Sequence, residues 1–380
     1  MTRKILYVTG TRADYGLMHS ILLEIENNPN MDLELVVTGM HLMDEFGKTI
    51  NEIKNDKFKI NVLNAVFEED NKYSMAKFVG IFIQLLTDLL KKIKPDIILL
   101  LGDRGEMLAG AIVGAYLNIP TVHLHGGEIT STVDEYMRHA ITKMVNIHLP
   151  ATEKSAERII KMGEDPDYVF VVGAPGLDGI NIDLIKKEDI ASRYNLNLSK
   201  PILLVLQHPV TLESEESSKQ MLETINAIQD LNYQTILIYP NADAGGKGMI
   251  NVIKQHDNLP FLKTFKSIPR KDFLSLMNVA DVIIGNSSSA IIEAPSFKLP
   301  AVNIGSRQKG RERSSNVLDV DYDSLEIKSA VEKALFDKKF KNLLNESKNP
   351  YGDGNTSSRV VKILGKIPLN DKLLEKRLNL

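Results

Sequence analysis

At 380 residues the chain is too long for a single core of ordinary size, so its length predicts two domains. Its net charge of −3 argues against broad nucleic-acid binding, and its lack of cysteine excludes disulfides and thiolate metal sites. The first residues show no signal-peptide pattern, and the longest apolar runs are too short or too interrupted to span a bilayer. We therefore expect a soluble protein of the cytoplasm that binds neither nucleic acid nor membrane.

The first half of the chain alternates short apolar runs with longer amphipathic stretches. The runs predicted as strands are 4–10, 33–39, 96–103, 120–127, 146–151 and 168–175. The stretches predicted as helices are 16–27, 40–54, 75–93, 105–117, 134–145 and 153–163. Near-continuous apolarity is typical of parallel strands covered on both faces, so this half predicts a doubly wound parallel sheet.

The same alternation then restarts after a polar segment, 173–200, which suits a hinge. The strands predicted here are 201–209, 233–240, 281–288 and 300–307, and the helices are 213–231, 245–256, 270–279 and 289–297. We therefore predict a Rossmann-like N-terminal domain over 1–172 and a Rossmann-like C-terminal domain over 173–355. The remaining segment, 356–380, is predicted to form a helix that packs back on the N-terminal domain.

Several predicted strands end in glycine followed by a polar or charged residue. These ends are Gly10-Thr11-Arg12, Gly102-Asp103-Arg104, Gly285-Asn286-Ser287 and Gly305-Ser306-Arg307. Ligands of open α/β sheets bind beyond the carboxyl ends of the strands. The expected fold class is therefore α/β, with two Rossmann-like, doubly wound domains that face each other across a cleft and enclose one ligand.

The stretch VTGTRADYG, residues 8–16, predicts a turn from a strand into a helix. Its spacing matches neither the dinucleotide fingerprint G-x-G-x-x-G nor a P-loop. An arginine at a helix N-terminus suits phosphate, because its guanidinium adds to the free backbone N–H groups. Arg12 therefore either binds phosphate or pairs with Asp14, and the local sequence leaves both interpretations open.

A serine-rich stretch, GNSSSAIIEAP at 285–295, follows an apolar strand and opens a helix. Ser287 and Ser288 offer hydroxyl and N–H groups that suit a diphosphate, although ordinary N-capping by serine is the alternative. Glu293, about a turn further on, is placed to accept hydrogen bonds from ribose hydroxyls. The next loop, 305–315, brings Arg307 together with three other basic residues, a run that usually forms a solvated surface.

Titratable residues gather after two other predicted strands. Asp103 ends the strand at 96–103, where it either caps a helix or lines a site. In HLHGGE, residues 123–128, His123 and His125 alternate along a strand and point to one face. Together with Glu128 they suggest a metal, but no further ligands follow at a familiar spacing, so no metal is predicted.

The helix predicted after this segment begins with acids and continues with bases. Asp134 and Glu135 favour the helix dipole at its start, and Arg138 and His139 follow within it. Each of these residues taken alone is more often structural. Together with Asp103 they describe a site where acids and bases compete for protons.

A set of motifs in order from residue 8 to about 315 carries a family resemblance. The motifs are TGTRADYG, TGMH, GDR, HGGE, RHAITK, GEDPDYVFVVGAPGLD, LQHPVT, NADAGGKG, IGNSSSAIIEAP and NIGSRQKGRE. With them the chain resembles the UDP-N-acetylglucosamine 2-epimerases, in particular the hydrolysing branch that supplies N-acetylmannosamine for sialic-acid synthesis. TRAD and GDR are typical of that branch, whereas the non-hydrolysing branch typically has TRPE and GDT.

The resemblance implies a two-domain fold like that of GT-B glycosyltransferases, with a UDP-sugar in the interdomain cleft and no cofactor. It also implies a two-stage reaction in which UDP leaves by elimination across C1 and C2 to give 2-acetamidoglucal. Water then adds so that C2 ends inverted, and the products are N-acetylmannosamine and UDP. A homodimer or homotetramer is the assembly that the family implies.

Residue roles follow from the matched motifs. The UDP contacts that the resemblance implies are Arg12, Arg104, His208, Asn241, Ser287, Ser288, Glu293 and Arg307, with Glu293 as the ribose-binding acid. Asp103 and Asp134 match family carboxylates that act as acid or base, and His139 lies in the matched RHAITK helix. These residues fit the chemistry, because a leaving diphosphate needs cations and N–H donors while removal of the C2 proton needs a positioned base.

One departure concerns the second acid or base. Many relatives read His-x-Glu-Gly-Gly-Glu where this chain has HLHGGE, so His125 stands in place of a glutamate. Three explanations stay open. His125 acts as the second acid or base, since an imidazole titrates near neutral pH, or Glu128 does so instead. Alternatively, this branch acts on a modified sugar.

Other functions fit the same scaffold, because a fold does not fix a function. The nearest is the same chemistry on UDP-2,4-diacetamido-2,4,6-trideoxyglucose, for legionaminic-type sugars. A GT-B glycosyltransferase and a UDP-sugar-binding regulator without catalysis are the alternatives of other classes.

Overall fold

The computed structural model describes residues 2–69, 71–129, 133–180 and 184–377, with only the backbone of residues 133 and 134. The chain divides into two compact units. The first, here the first domain, is built from Met1–Ile129, Val133–Asp178 and Tyr351–Leu380, and the second domain is built mainly from Gly179–Pro350. The boundaries predicted after residues 172 and 355 lie a few residues from this division.

The first domain is organised around a parallel sheet of six strands. They are β1 (Arg3–Thr9), β2 (Met31–Val37), β3 (Ile60–Val62), β4 (Ile97–Leu101), β5 (Thr121–Leu124) and β6 (Ile147–Leu149), in the spatial order β3-β2-β1-β4-β5-β6. Every neighbouring pair is parallel. All residues of β4, β5 and β6 are buried, which explains their continuous apolar runs.

Helices connect these strands. They are α1 (Arg12–Glu26), α2 (Ile50–Asn55), α3 (Lys72–Ile93), α4 (Gly105–Leu117), α5 (Val133–Met144) and α6 (Glu153–Lys161). A capping box starts α1: the Asp14 N–H donates to the Thr11 hydroxyl, and the Thr11 N–H donates to the Asp14 carboxylate at 2.8 Å. The turn after β1 is therefore fixed by its own residues.

The second domain repeats the architecture with another parallel sheet of six strands. They are β7 (Ile202–Leu206), β8 (Gln234–Ile238), β9 (Leu262–Phe265), β10 (Val282–Gly285), β11 (Ala301–Ile304) and β12 (Val317–Val320), in the order β12-β11-β10-β7-β8-β9. The helices are α7 (Lys187–Arg193), α8 (Ser217–Leu231), α9 (Gly246–Gln255), α10 (Arg270–Met277), α11 (Ser289–Ile292), α12 (Ser324–Phe336) and α13 (Lys338–Glu346). The α/β fold class of two Rossmann-like domains is confirmed.

The chain returns to the first domain at its end through α14 (Thr356–Lys366) and α15 (Asp371–Leu374). Val360, Val361, Leu364 and Ile367 join the core beside the side chains of α1 and β1. Their spacing of three to four residues gives α14 one apolar face, and that face is what it buries. Helix α14 therefore completes the core of the first domain.

Several predicted elements differ from the observed ones. Residues 168–175 form no strand beyond a single bridge from Val169 to His148, because proline-containing 3₁₀ turns lie at both ends of the segment. The helix predicted over 40–54 is reduced to 3₁₀ turns and α2, since Gly47 has a left-handed φ of 88°. Strands β3, β9 and β12 were not predicted; all are short, and none is fully buried.

The sequence predicts that no apolar run could span a bilayer. Helix α3 is, by length and composition alone, long and apolar enough to do so. Within the described residues it is the helix that reaches the required length and composition, with 22 residues and a mean hydropathy of 1.3 in its best window. Phe78, Phe82, Leu86 and Leu90, spaced four residues apart, are its buried stripe. Buried core helices of water-soluble domains meet the same criterion, so the helix alone does not indicate a membrane.

Candidate active site

Both sheets have one point where the strand order reverses, and such switch points are where α/β sheets bind ligands. In the first domain the point lies between β1 and β4, which are followed by Gly10–Arg12 and Gly102–Arg104. In the second it lies between β7 and β10, which are followed by His208 and by Asn286–Ser288. Residues predicted to form the site from motifs therefore occupy switch points in both domains.

Asn286 joins the two strand ends of the second domain. Its side-chain Oδ1 accepts the His208 N–H at 2.7 Å, and its Nδ2 donates to the His208 carbonyl at 2.9 Å. Asn286 is fully buried, so this reciprocal pair fixes the backbone that follows β7 against the backbone that follows β10. The motif GNSSS contains this asparagine, but its partner is 78 residues away in sequence, and the motif gives no sign of it.

His208 and Asn241 are also brought together. The Asn241 N–H donates to Nδ1 of His208 at 3.2 Å, so this ring nitrogen is an acceptor and the neutral ring carries its proton on Nε2. The Asn241 side chain donates to Asp243 at 2.6 Å, which holds the amide in the loop after β8. These contacts leave His208 oriented as a donor through Nε2, as a phosphate contact requires.

The serines after β10 bond to one another. The hydroxyls of Ser287 and Ser289 lie 2.8 Å apart, and the Ser289 N–H donates to the Ser287 hydroxyl at 3.3 Å. Ser288 holds the N-cap position of α11 but makes no side-chain capping bond. N-capping, the structural alternative for this stretch, therefore does not account for Ser288.

Two arginines of the basic loop after β11 have different partners. Arg307 donates to the Asn286 carbonyl at 3.3 Å, and Gln308 donates to the same oxygen at 2.8 Å. Arg313, in contrast, pairs with Asp319 at 2.6 Å. The first arginine of the run is thus held at the tip of β10, beside the serines, and not at a solvated surface remote from the switch point.

Glu293 is buried and paired with a cation. Its Oε1 accepts a hydrogen bond from Arg270, at the start of α10, at 2.9 Å. A buried carboxylate is costly without such a partner, and the bond to Arg270 fixes the direction of the Glu293 side chain. Arg270 was not predicted as a site residue, since nothing in the sequence of α10 relates it to a residue 23 positions later.

In the first domain, Asp103 forms an ion pair with Arg138 of α5. The Arg138 side chain is only 1% exposed and also donates to the Glu128 carbonyl at 2.9 Å, whereas the Asp103 side chain is 24% exposed. One buried guanidinium therefore holds the loop after β4 and the loop after β5. Arg138 lies in RHAITK, but its role as the partner of Asp103 was not predicted.

His125 and Glu128 form a hydrogen-bonded pair. Nδ1 of His125 lies 2.7 Å from Oε1 of Glu128, and both side chains are buried. His125 has a φ of 61°, a left-handed conformation that is rare outside glycine and common at functional sites. The carboxylate fixes the orientation of the ring through Nδ1, so Nε2 is the ring nitrogen that the carboxylate does not engage.

His123 does not share this environment. It is fully buried, and its Nε2 lies 2.6 Å from the Gly102 carbonyl. Burial lowers the pKa of His123 to about 3, so the ring is neutral and donates to that carbonyl. His123 is therefore a structural residue that supports the loop carrying Asp103.

Three further predicted residues of the first domain each lie close to a carboxylate. Arg12 pairs through Nε with Glu52 at 3.2 Å, while Asp14, its predicted alternative partner, caps α1 instead. Arg104 pairs with Glu106 at 3.4 Å, and His139 lies 3.4 Å from Glu135.

The sequence also indicates two acids near the starts of helices, Asp14 in α1 and Asp134 in α5. Burial raises the pKa of Asp14 to about 6, although hydrogen bonds from Thr9 and Thr11 oppose that rise. The Asp134 side chain lies outside the described residues. Among the residues that the structure describes, no group of three or more His, Asp or Glu side chains is arranged to hold a metal ion.

The switch point of the second sheet carries Arg307 and serine hydroxyls. Near the switch point of the first sheet lie Asp103 and the His125–Glu128 pair. Two such domains are typical of α/β enzymes that act on nucleotide-linked ligands. The family model for UDP-N-acetylglucosamine 2-epimerase matches residues 23–365. The chain therefore belongs to the UDP-N-acetylglucosamine 2-epimerase family, and two relatives whose names include hydrolyzing fit its hydrolysing branch.

Individual relatives agree with this membership. The chain is 45% identical over 378 residues, 99% of both chains, to UDP-N,N'-diacetylbacillosamine 2-epimerase (hydrolyzing) of Legionella pneumophila. It is 36% identical to GDP/UDP-N,N'-diacetylbacillosamine 2-epimerase (hydrolyzing) of Campylobacter jejuni, covering 85% of this chain and 86% of that one. The fold is similar to that of UDP-GlcNAc 2-epimerase from Neisseria meningitidis bound to UDP-GlcNAc, with a TM-score of 0.80, 19% identity, and coverage of 96% and 100%.

Proposed function

We propose that this chain hydrolyses UDP-N,N'-diacetylbacillosamine, which is UDP-2,4-diacetamido-2,4,6-trideoxyglucose, with inversion at C2. The products are UDP and 2,4-diacetamido-2,4,6-trideoxymannose. The observation that carries the proposal is the 45% identity, over 99% of both chains, to the Legionella pneumophila enzyme with that substrate in its name. The substrate predicted first, UDP-N-acetylglucosamine, becomes the second candidate.

The first stage is an elimination. A base removes the proton from C2, the electron pair of that bond forms the C1–C2 double bond, and the C1–O bond breaks with its electrons leaving on UDP. In our proposal the second domain binds UDP, with Arg307, Ser287 and His208 at the diphosphate and Glu293 at the ribose. Fixed cations and donors at the leaving diphosphate stabilise the charge that develops there.

The second stage is a hydration. Water bonds through its oxygen to C1 and gives up one proton to a base, while the electron pair of the double bond takes a proton at C2 from an acid, on the face opposite to the one that lost its proton. Two proton-transfer groups on opposite faces of the ring are therefore needed. We assign these roles to Asp103 and to the His125–Glu128 pair. Asp134 is the third candidate, as predicted from the motif.

The single test is turnover in deuterated water with both nucleotide sugars. We expect free 2,4-diacetamido-2,4,6-trideoxymannose with deuterium at C2, and a higher kcat/KM for the diacetamido substrate. A higher kcat/KM for UDP-N-acetylglucosamine, with labelled N-acetylmannosamine, would favour the second candidate. A UDP-linked product alone would reject hydrolysis, and transfer to an acceptor without deuterium at C2 would indicate a glycosyltransferase.

The second candidate rests on one specific observation. A relative from Neisseria meningitidis with the name UDP-N-acetylglucosamine 2-epimerase is 33% identical over 357 residues, 93% of this chain. Turnover of both substrates within about threefold, which corresponds to less than 1 kcal/mol of discrimination, would leave both as natural substrates. As a control, Asp103→Asn should lower kcat, because unchanged activity in this variant would indicate a contaminating enzyme. Assembly as a homodimer or homotetramer and location in the cytoplasm stay predictions.

A further inference from the structure

Helix α5 carries the cation that holds Asp103. Arg138 lies in the middle of α5, His139 follows it, and Asp134 stands at its start. The helix ends at Met144, and its last carbonyls have no partners within the helix. Whatever binds this end of α5 therefore contributes to where Arg138 lies.

Lys376, near the C-terminus of the chain, binds that end. Its ammonium donates to the Thr142 carbonyl at 2.8 Å and to the Val145 carbonyl at 2.5 Å. It also forms an ion pair with Glu164 at 2.5 Å. These contacts use all three protons of the ammonium group, and they place a positive charge at the negative end of the helix dipole.

Glu164 is buried, and three side chains bind its carboxylate. One carboxylate oxygen accepts from Lys143 at 2.6 Å, and the other accepts from His148 at 3.0 Å as well as pairing with Lys376. Burial alone would raise the pKa of Glu164, but the hydrogen bonds from His148, Lys143 and Lys376 lower it to about 2. The carboxylate is therefore ionised and ties α5 to β6 at every physiological pH.

The contacts continue from Glu164 towards the loop that carries Asp103. His148 lies on β6, directly opposite His123 on β5 in the strand register. His123 in turn donates to the Gly102 carbonyl, and Gly102 has a left-handed φ of 78° immediately before Asp103. Asp103 is thus supported through Arg138 on α5 and through His123 on β5, which is the strand neighbour of His148.

We propose that Lys376 is a positioning residue for the reaction, which holds the C-terminal end of α5 so that Arg138 keeps Asp103 in place. This inference rests on the proposed function, because its readout is turnover of the nucleotide sugar. Lys376 touches neither substrate nor reacting atoms in this role. A displaced Asp103 would slow the proton transfers without changing how the second domain binds UDP.

The test uses the full-length protein and three variants, after turnover by the unchanged protein has been shown. Lys376→Met removes the charge while keeping a long side chain, Lys376→Arg keeps the charge, and Lys372→Met removes an exposed lysine of α15 as the matched control. We expect Lys376→Met to lower kcat about tenfold with KM and the Kd for UDP unchanged, since small misplacements of a catalytic group have effects of this size. Lys376→Arg should recover most of kcat, and Lys372→Met should match the unchanged protein.

A rescue experiment covers the case in which Lys376→Met fails to fold. Lys376→Ala leaves a site for the missing chain and amine, and n-propylammonium supplies both. We expect saturable recovery of kcat with n-propylammonium and none with propanol. An unchanged kcat in Lys376→Met, equal losses of kcat and UDP affinity, or absence of specific rescue would each overturn the proposal. An inactive unchanged protein would instead contradict the proposed function.

Discussion

His125 combines a strained backbone with a buried hydrogen-bonded side chain. Its left-handed φ costs on the order of 1–2 kcal/mol for a residue with a Cβ, and the bond to Glu128 helps to hold it there. Strain of this kind persists where the surroundings fix a side chain for function. This geometry favours the interpretation that His125, with Glu128 behind it, takes the place of the glutamate found in many relatives.

The first prediction separates the imidazole from the backbone conformation. Asparagine tolerates a left-handed φ better than most residues but transfers no protons near neutral pH. We therefore expect His125→Asn to keep UDP affinity and to lower kcat by about 10² to 10⁴, the usual contribution of a general acid or base. Calorimetric UDP binding and steady-state turnover are the measurements. Turnover within threefold of the unchanged protein would exclude a catalytic role for His125.

At the scale of elements, sequence periodicity predicts the buried strands well and the contacts between elements poorly. β1 and β4 were predicted because their apolar runs are continuous, whereas the edge strands β3 and β12 are short and partly exposed. The motifs placed Asp103 and Ser287 at strand ends, as observed. Arg138 as partner of Asp103, and Asn286 as partner of His208, depend on packing across 35 and 78 residues, and no local pattern contains them.

Substitution by alanine at two glycines should change the free energy of unfolding in opposite directions. Gly80 in the middle of α3 has open space where a Cβ would lie, so Gly80→Ala should stabilise the protein by about 0.5–1 kcal/mol. Gly127 has a φ of 76°, and a Cβ there would lie 2.2 Å from the Ser155 carbonyl oxygen. Gly127→Ala should therefore destabilise by about 1–3 kcal/mol and disturb the neighbouring Glu128. Urea denaturation of both variants measures the two signs, and equal effects would contradict both assignments.

At the scale of the whole molecule, our proposal assigns nucleotide binding to the second domain and proton transfer to the first. Arg307→Ala should weaken UDP binding by about ten- to a hundredfold, because it removes a charge-assisted contact to the diphosphate. Asp103→Asn should leave the Kd for UDP unchanged and lower kcat. Titration calorimetry with UDP, together with steady-state turnover, compares the two variants. Equal losses of UDP affinity would show that the division is wrong.

Two buried histidines make the free energy of unfolding of the protein depend on pH. Burial lowers the pKa of His41 and of His123 to about 3, whereas both rings take up protons near pH 6.5 in the unfolded chain. Between pH 6.5 and 3 the unfolded state therefore binds more protons, and the free energy of unfolding falls as the pH falls. The slope is up to about 1.4 kcal/mol per pH unit for each histidine.

Asp14 opposes this trend over part of the range. Its pKa is raised to about 6 by burial, so its contribution to stability is present at low pH and is lost as the pH rises from about 4 to 6. We expect the stability to decrease from pH 7 to pH 5, with a smaller slope in His123→Gln. Urea denaturation across this range is the measurement, and an identical slope in the variant would remove His123 from the explanation.

The first domain is assembled from the two ends of the sequence, with the second domain inserted between them. During synthesis, a ribosome that has released the first 350 residues has already delivered every strand of both sheets. The first domain still lacks Val360, Val361 and Leu364 at that moment, and an apolar surface beside α1 stays open to water. The second domain is built mainly from the single stretch Gly179–Pro350 and is able to mature first. While residues 351–367 are still being synthesised, the nascent chain exposes this apolar surface, and we expect it to aggregate more readily at that stage.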